Sequence, residues 1–86
     1  MRYLISIKPE ERQIMRKNPN YHTHTIDTLT QSLNEIGAKL ELESFRYVGN
    51  VEYQGSLSEL KEHLEAKGFD NNKIRISLSD TLPIVN

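Results

Sequence analysis

Apolar residues in this chain switch repeatedly between two spacings, and that switching restricts the fold more than any other feature. From Arg2 to Lys8, Tyr3, Ile5 and Ile7 alternate with Leu4, Ser6 and Lys8, the period of a strand. Pro9 ends the run because proline donates nothing to a ladder. From Thr25 to Ile36 the spacing changes: Ile26, Leu29, Leu33 and Ile36 form one helical stripe, with Gly37 where a left-handed cap is wanted. Lys39 to Val48 returns to alternation, with Leu40 and Leu42 opposed to Glu41 and Glu43. Phe45 and Tyr47 shift the phase and place a bulge near Ser44. Gly49-Asn50 reads as a turn, and Val51 and Tyr53 as the returning arm of a hairpin. Ser56 to Lys67 is a second helix. Ser56 and Glu59 have capping-box spacing, Leu57, Leu60 and Leu64 form its stripe, and Gly68 closes it. A last strand follows, with Ile74, Ile76 and Leu78 inward and Lys73, Arg75 and Ser77 outward.

The order β-α-β-β-α-β predicts an α+β, ferredoxin-like fold: a four-stranded antiparallel sheet with two helices on one face. The outer sheet face is then mostly polar, carrying Ser6, Lys8, Glu41, Glu43, Glu52, Lys73 and Arg75. Residues 9–24 are an insertion after the first strand. Within it, Pro9 to Lys17 reads as a short helix with Glu10 and Glu11 at its start and Arg16 and Lys17 at its end. Asn18-Pro19 stops that helix, and Asn20 to His24 reads as loop. Residues 81–86 form a tail with the apolar run Leu82-Pro83-Ile84-Val85.

With 86 residues the chain makes a single domain, and a core that small gains from dimerisation. No cysteine is present, which excludes disulfides and thiolate metal sites and suits a reducing cytoplasm. The short apolar run of the N-terminus does not make a signal peptide, and no segment approaches the roughly 20 apolar residues that span a bilayer. The expectation is a cytoplasmic protein with no membrane partner.

The net charge of −1 conceals an asymmetry. Residues 1–24 hold five Lys or Arg against two acids, residues 25–66 three against eight, and residues 67–86 three against two. Lys8, Arg12, Arg16 and Lys17 surround the end of the first strand, and the fold brings Lys73 and Arg75 beside it from the last. Tyr21, His22 and His24 add ring surfaces. Cations hold phosphates and exposed rings stack on unpaired bases, so this set points to single-stranded RNA. Duplex DNA is disfavoured because no recognition helix is evident.

Catalytic signals are weaker. No serine sits in a nucleophile elbow. On a strand, His22 and His24 would share a face and hold zinc, but no third ligand can be named. His63 reads as surface. Glu41 and Glu43 share a strand face, which more often serves to discourage edge pairing than to hold a cation. The reading assigns no catalytic residue, no metal site and no cofactor.

The segments RYLISI, NEIGAKLELESFRYVG, GSLSELKEHLEAKG and KIRISLSD, in that order, resemble the Cas2-like superfamily of small ferredoxin-like proteins. That group includes the CRISPR-associated nucleases, the GhoS-type antitoxin ribonuclease and SinR-like proteins. The resemblance covers about residues 2–80 without the insertion. It implies a homodimer in which the tail Leu82–Val85 pairs with the other subunit. The nucleases carry a metal-binding aspartate at the end of the first strand. Here that stretch is Ile5-Ser6-Ile7-Lys8, and a lysine repels the cation.

Together these features predict a non-catalytic RNA-binding regulator, an antitoxin-like inhibitor of a toxin or RNA-processing enzyme, a role that a phage-encoded protein would also fit. Its expected RNA contacts are Lys8, Arg12, Arg16, Lys17, Tyr21, His22, His24, Lys73 and Arg75. Two alternatives stand beside it. One is a metal-dependent endoribonuclease using Glu41, Glu43 and His24. The other is a protein-only interaction module that docks a basic enzyme on its acidic second helix.

Overall fold

The computed structural model describes residues 1–43 and 46–78. In chain order these form β1 (Arg2–Ile7), α1 (Pro9–Lys17), α2 (Pro19–Asn34), β2 (Lys39–Glu43), β3 (Val48–Glu52), α3 (Leu57–Ala66) and β4 (Ile74–Leu78). The strands pair antiparallel in the order β2-β3-β1-β4, the ferredoxin-like arrangement expected from the periods. Register fixes the faces. Tyr3 lies opposite Val51 and Leu78, and Ile5 opposite Gly49 and Ile76. These positions, with Ile7 and Ile74, look toward the helices, where Met15, Leu29, Leu33, Leu60 and Leu64 are buried against them. Fully burying one such aliphatic side chain is worth about 1.5–3 kcal/mol. Tyr3 has no exposed surface, and its hydroxyl escapes an unsatisfied burial by donating to the Gly55 carbonyl at 2.6 Å.

Among the described residues the helical layer has three members, not two. Asn18-Pro19 both stops α1 and starts α2. The Asn18 side chain accepts from the Tyr21 backbone N–H at 3.1 Å, and Pro19 takes the first helical turn, where a missing N–H costs nothing. Asn20 to His24, expected as loop, are therefore helical. At the other end, Gly37 (φ 73°) ends α2 and Gly68 (φ 97°) ends α3, left-handed conformations that glycine adopts without penalty. Ser56 and Glu59 form the expected capping box on α3.

The hairpin differs from expectation. Gly49-Asn50 is no turn but lies inside β3. A Cβ at Gly49 would stand 2.4 Å from the Glu41 carbonyl oxygen, so glycine is there to let β2 and β3 approach. The chain reverses earlier, where Tyr47 takes a left-handed φ of 55° that a bulky residue rarely tolerates. The bulge expected near Ser44 and the tail Leu82–Val85 lie outside the described residues. Leu78 is on the inner face by register yet 45% exposed, because it is the last residue of its strand. His63, expected on the surface, is half-buried: its Nε2–H donates to the Ser32 carbonyl at 2.7 Å and locks α3 to α2. Among the described residues no helix is long and apolar enough to cross a membrane.

Candidate nucleic-acid interface

The end of the sheet where β1 finishes and β4 begins carries most of the predicted cations. The Lys8 backbone N–H donates to the Lys73 carbonyl at 2.8 Å, and Ser6 lies opposite Arg75, so the backbones of Lys8, Lys73 and Arg75 are neighbours at this end, with Arg75 on the outer sheet face and Lys73 beside the cavity described below. Lys8 is also the N-cap of α1, and the Arg12 N–H donates back to its carbonyl at 2.9 Å. Lys8, Arg12 and Arg16 thus follow one another at intervals of four and form a ridge along one side of the helix. Lys17, one residue beyond Arg16, is turned about 100° away from that ridge.

A buried ring anchors the ridge. The Arg16 guanidinium sits over the face of Tyr47 with 5.4 Å to the centroid. His22, from the first turns of α2, meets the same ring edge-on at 5.5 Å, with its Nδ1 3.3 Å from the Tyr47 hydroxyl. Arg16 and His22 are thereby positioned by the protein itself. Arg46, next in the chain to Tyr47, adds a cation at this end, held loosely by Glu43 at 3.9 Å. Sequence reasoning passed over Arg46 because the alternation from Lys39 to Val48 placed it in a strand rather than in the reversal. Among the described residues, Lys8, Arg12, Arg16, Lys17, Lys73 and Arg75 have no acidic partner within salt-bridge distance.

Tyr21 and His24 belong to a different surface. A cavity of about 200 Å³ opens between the α1–α2 pair and the connection from α3 to β4, lined by residues that include Glu11, Tyr21, His24, Thr25, Lys67, Phe69 and Lys73. Glu11 is 7% exposed, and it accepts the hydroxyl proton of Tyr21 in a short hydrogen bond. That bond, then burial, then the carboxylate's charge raise the Tyr21 pKa above its ordinary value. The Tyr21 ring itself packs against the core. At the rim, Lys67 bonds Glu35 at 2.9 Å and holds that carboxylate below its usual range. Glu11, Lys67 and Phe69 were missed as site residues. The Glu11–Met15 spacing of four, with both residues buried, was the one available sign that Glu11 faces inward.

No protein-family model, curated protein or solved structure matches the chain.

The metal arrangements considered from the sequence do not assemble. His22 and His24 are two residues apart on a helix, which puts their side chains about 200° apart around its axis rather than on one face. Glu41 and Glu43 lie on the outer sheet face, while His24 is on α2 across the sheet. Among the described residues no group of three or more His, Asp or Glu is placed to hold a metal ion.

Proposed function

We propose that this chain is a non-catalytic regulator that binds single-stranded RNA, restraining a toxin or RNA-processing enzyme as an antitoxin does. The observation that carries this reading is the ridge Lys8-Arg12-Arg16 beside Lys73 and Arg75, five cations at one end of the sheet without acidic partners among the described residues. Unpartnered cations in one place attract a polyanion through the counterions it sheds. Arg16 held over Tyr47 is pre-organised, which lowers the entropy lost on binding. The contacts are to phosphates. Tyr21, committed to Glu11 and the core, is not among them, and His22 acts by buttressing Tyr47.

The reading also takes the protein as a homodimer. The outer sheet face sets Glu41 and Glu43 on β2 at one edge and Arg75 on β4 at the other, with Leu4 and Val48 between. A second copy seated on Leu4, which is 38% exposed, covers the apolar centre of that face.

The test is titration of a short labelled single-stranded RNA with the parent and with Lys8→Ala/Arg12→Ala/Arg16→Ala, with the fold of each checked by circular dichroism. The parent binds and the folded variant loses most of its affinity. Equal binding by both proteins removes the ridge from the account.

A further inference from the structure

The cavity beside α1 has a use that the cationic ridge does not supply. Its most unusual wall is Glu11, a carboxylate 7% exposed. One Glu11 oxygen accepts from Tyr21, and the other has no hydrogen-bond or ion-pair partner among the described residues. A buried carboxylate is acceptor-only and offers about four lone-pair sites, so most of this one's capacity is unfilled. The Tyr21 hydroxyl, its pKa raised, keeps its proton and fixes the carboxylate's orientation. Phe69, 6% exposed, gives the cavity an apolar surface; at its rim Lys67 is paired with Glu35, and Lys73 has no acidic partner among the described residues.

A ligand for this cavity must satisfy three demands. It must present adjacent donors to a carboxylate, offer a flat apolar body to Phe69, and carry negative charge toward Lys73. A cationic ligand meets the first demand and fails the third. The volume of about 200 Å³ is below the roughly 300–1,000 Å³ of drug-sized sites, which limits the occupant to a single small ring system. Among the four RNA bases only guanine places two donors side by side, N1–H and the N2 amino group, on the edge that single-stranded readers use. Adenine and cytosine set an acceptor beside their amino group, and uracil flanks its single donor with two carbonyls.

We propose that this cavity binds one guanine base of a nucleotide, with Glu11 accepting from N1–H and N2–H, Phe69 against the base, and Lys73 toward the phosphate. The proposal rests on the RNA-binding reading and gives it a base preference that the ridge, which contacts only phosphates, does not have.

The experiment has two arms. In the first, calorimetry compares guanosine monophosphate, adenosine monophosphate and guanosine. Bidentate recognition predicts a preference of roughly ten-fold or more for the guanine nucleotide over the adenine one. Glu11→Gln, whose amide puts a donor where an acceptor is needed while still able to receive the Tyr21 proton, loses that preference. Lys73→Ala weakens the monophosphate but not guanosine. Equal affinity for both nucleotides, or no binding by either, overturns the proposal. If Glu11→Gln does not fold, chemical-shift changes at Phe69 in the parent decide: perturbation by the guanine nucleotide alone supports the site, and an unmoved Phe69 overturns it. The second arm compares single-stranded RNAs with and without guanine. Tighter binding of the guanine-containing strand supports the site. Equal, salt-sensitive binding of both overturns it and leaves the RNA reading standing. Binding of the free nucleotide without any RNA supports the cavity and overturns the RNA reading.

Discussion

Tyr47 is the residue on which the candidate interface turns, and its coupling to Arg16 can be measured. The Arg16 guanidinium lies 5.4 Å from the ring centroid and is solvent-exposed, which puts the interaction at about 0.5–1 kcal/mol, the lower range for cation–π pairs. A chain of this size has a total stability of about 4–13 kcal/mol. The pair is therefore a measurable fraction of it. Three variants define the cycle: Arg16→Ala, Tyr47→Leu, and the two combined. Leucine removes the ring and the His22 partner while keeping apolar volume, so the chain still folds. Urea denaturation gives each stability, and the expected non-additivity is about 0.5–1 kcal/mol. Because 1 kcal/mol moves the midpoint of a domain this size by about 4–8 °C, Arg16→Ala alone lowers it by about 2–8 °C. In Tyr47→Leu the same Arg16→Ala change has no further effect. Additivity within about 0.3 kcal/mol would show that the ring does not hold Arg16, and the pre-organised ridge would lose its basis.

Two further outcomes follow from the packing and the ionisations. Gly49→Ala drives a Cβ into the Glu41 backbone carbonyl, at 2.4 Å before any relaxation, so it costs about 1–3 kcal/mol or more and loosens β2, read as a lower urea midpoint and faster amide exchange at Glu41 and Glu43, whose N–H groups face β3. Tyr21 is a group whose folded pKa stands above its unfolded value of 10.0. Its contribution is complete below that value and is lost as the pH rises from there through the folded pKa. The parent should therefore lose stability on alkaline titration more steeply than Tyr21→Phe, and parallel profiles for the two would refute the Glu11 bond.

Much of the fold was legible in the sequence because the core obeys simple periods. Tyr3, Ile5 and Ile7 on one side, and Leu29 and Leu33 facing Leu60 and Leu64 on the other, state a sheet with helices on one face. The insertion was harder to read because Asn-Pro carries two meanings. Pro19 stops the helix before it and equally starts the next, and only the Asn18 cap on Tyr21 decides between them. Gly49-Asn50 misled for a similar reason: a glycine needed for close approach is indistinguishable in sequence from one needed for a turn. The cationic ridge could be foreseen from charge and topology, since Lys8, Arg12 and Arg16 share helical spacing. Tyr47 as its anchor could not, because that depends on a left-handed residue in the hairpin. Glu11 was hidden by its own chemistry: an acid in a first helical turn normally reads as a surface charge complementing the helix dipole.

The most direct test is the salt dependence of single-stranded RNA affinity. With five phosphate contacts, from Lys8, Arg12, Arg16, Lys73 and Arg75, the logarithm of the association constant should fall against the logarithm of salt with a slope of about −3.5. Removing Lys8, Arg12 and Arg16 should flatten that slope to about −1.4. A slope near zero for the parent, or an unchanged slope in the folded triple variant, would contradict the account.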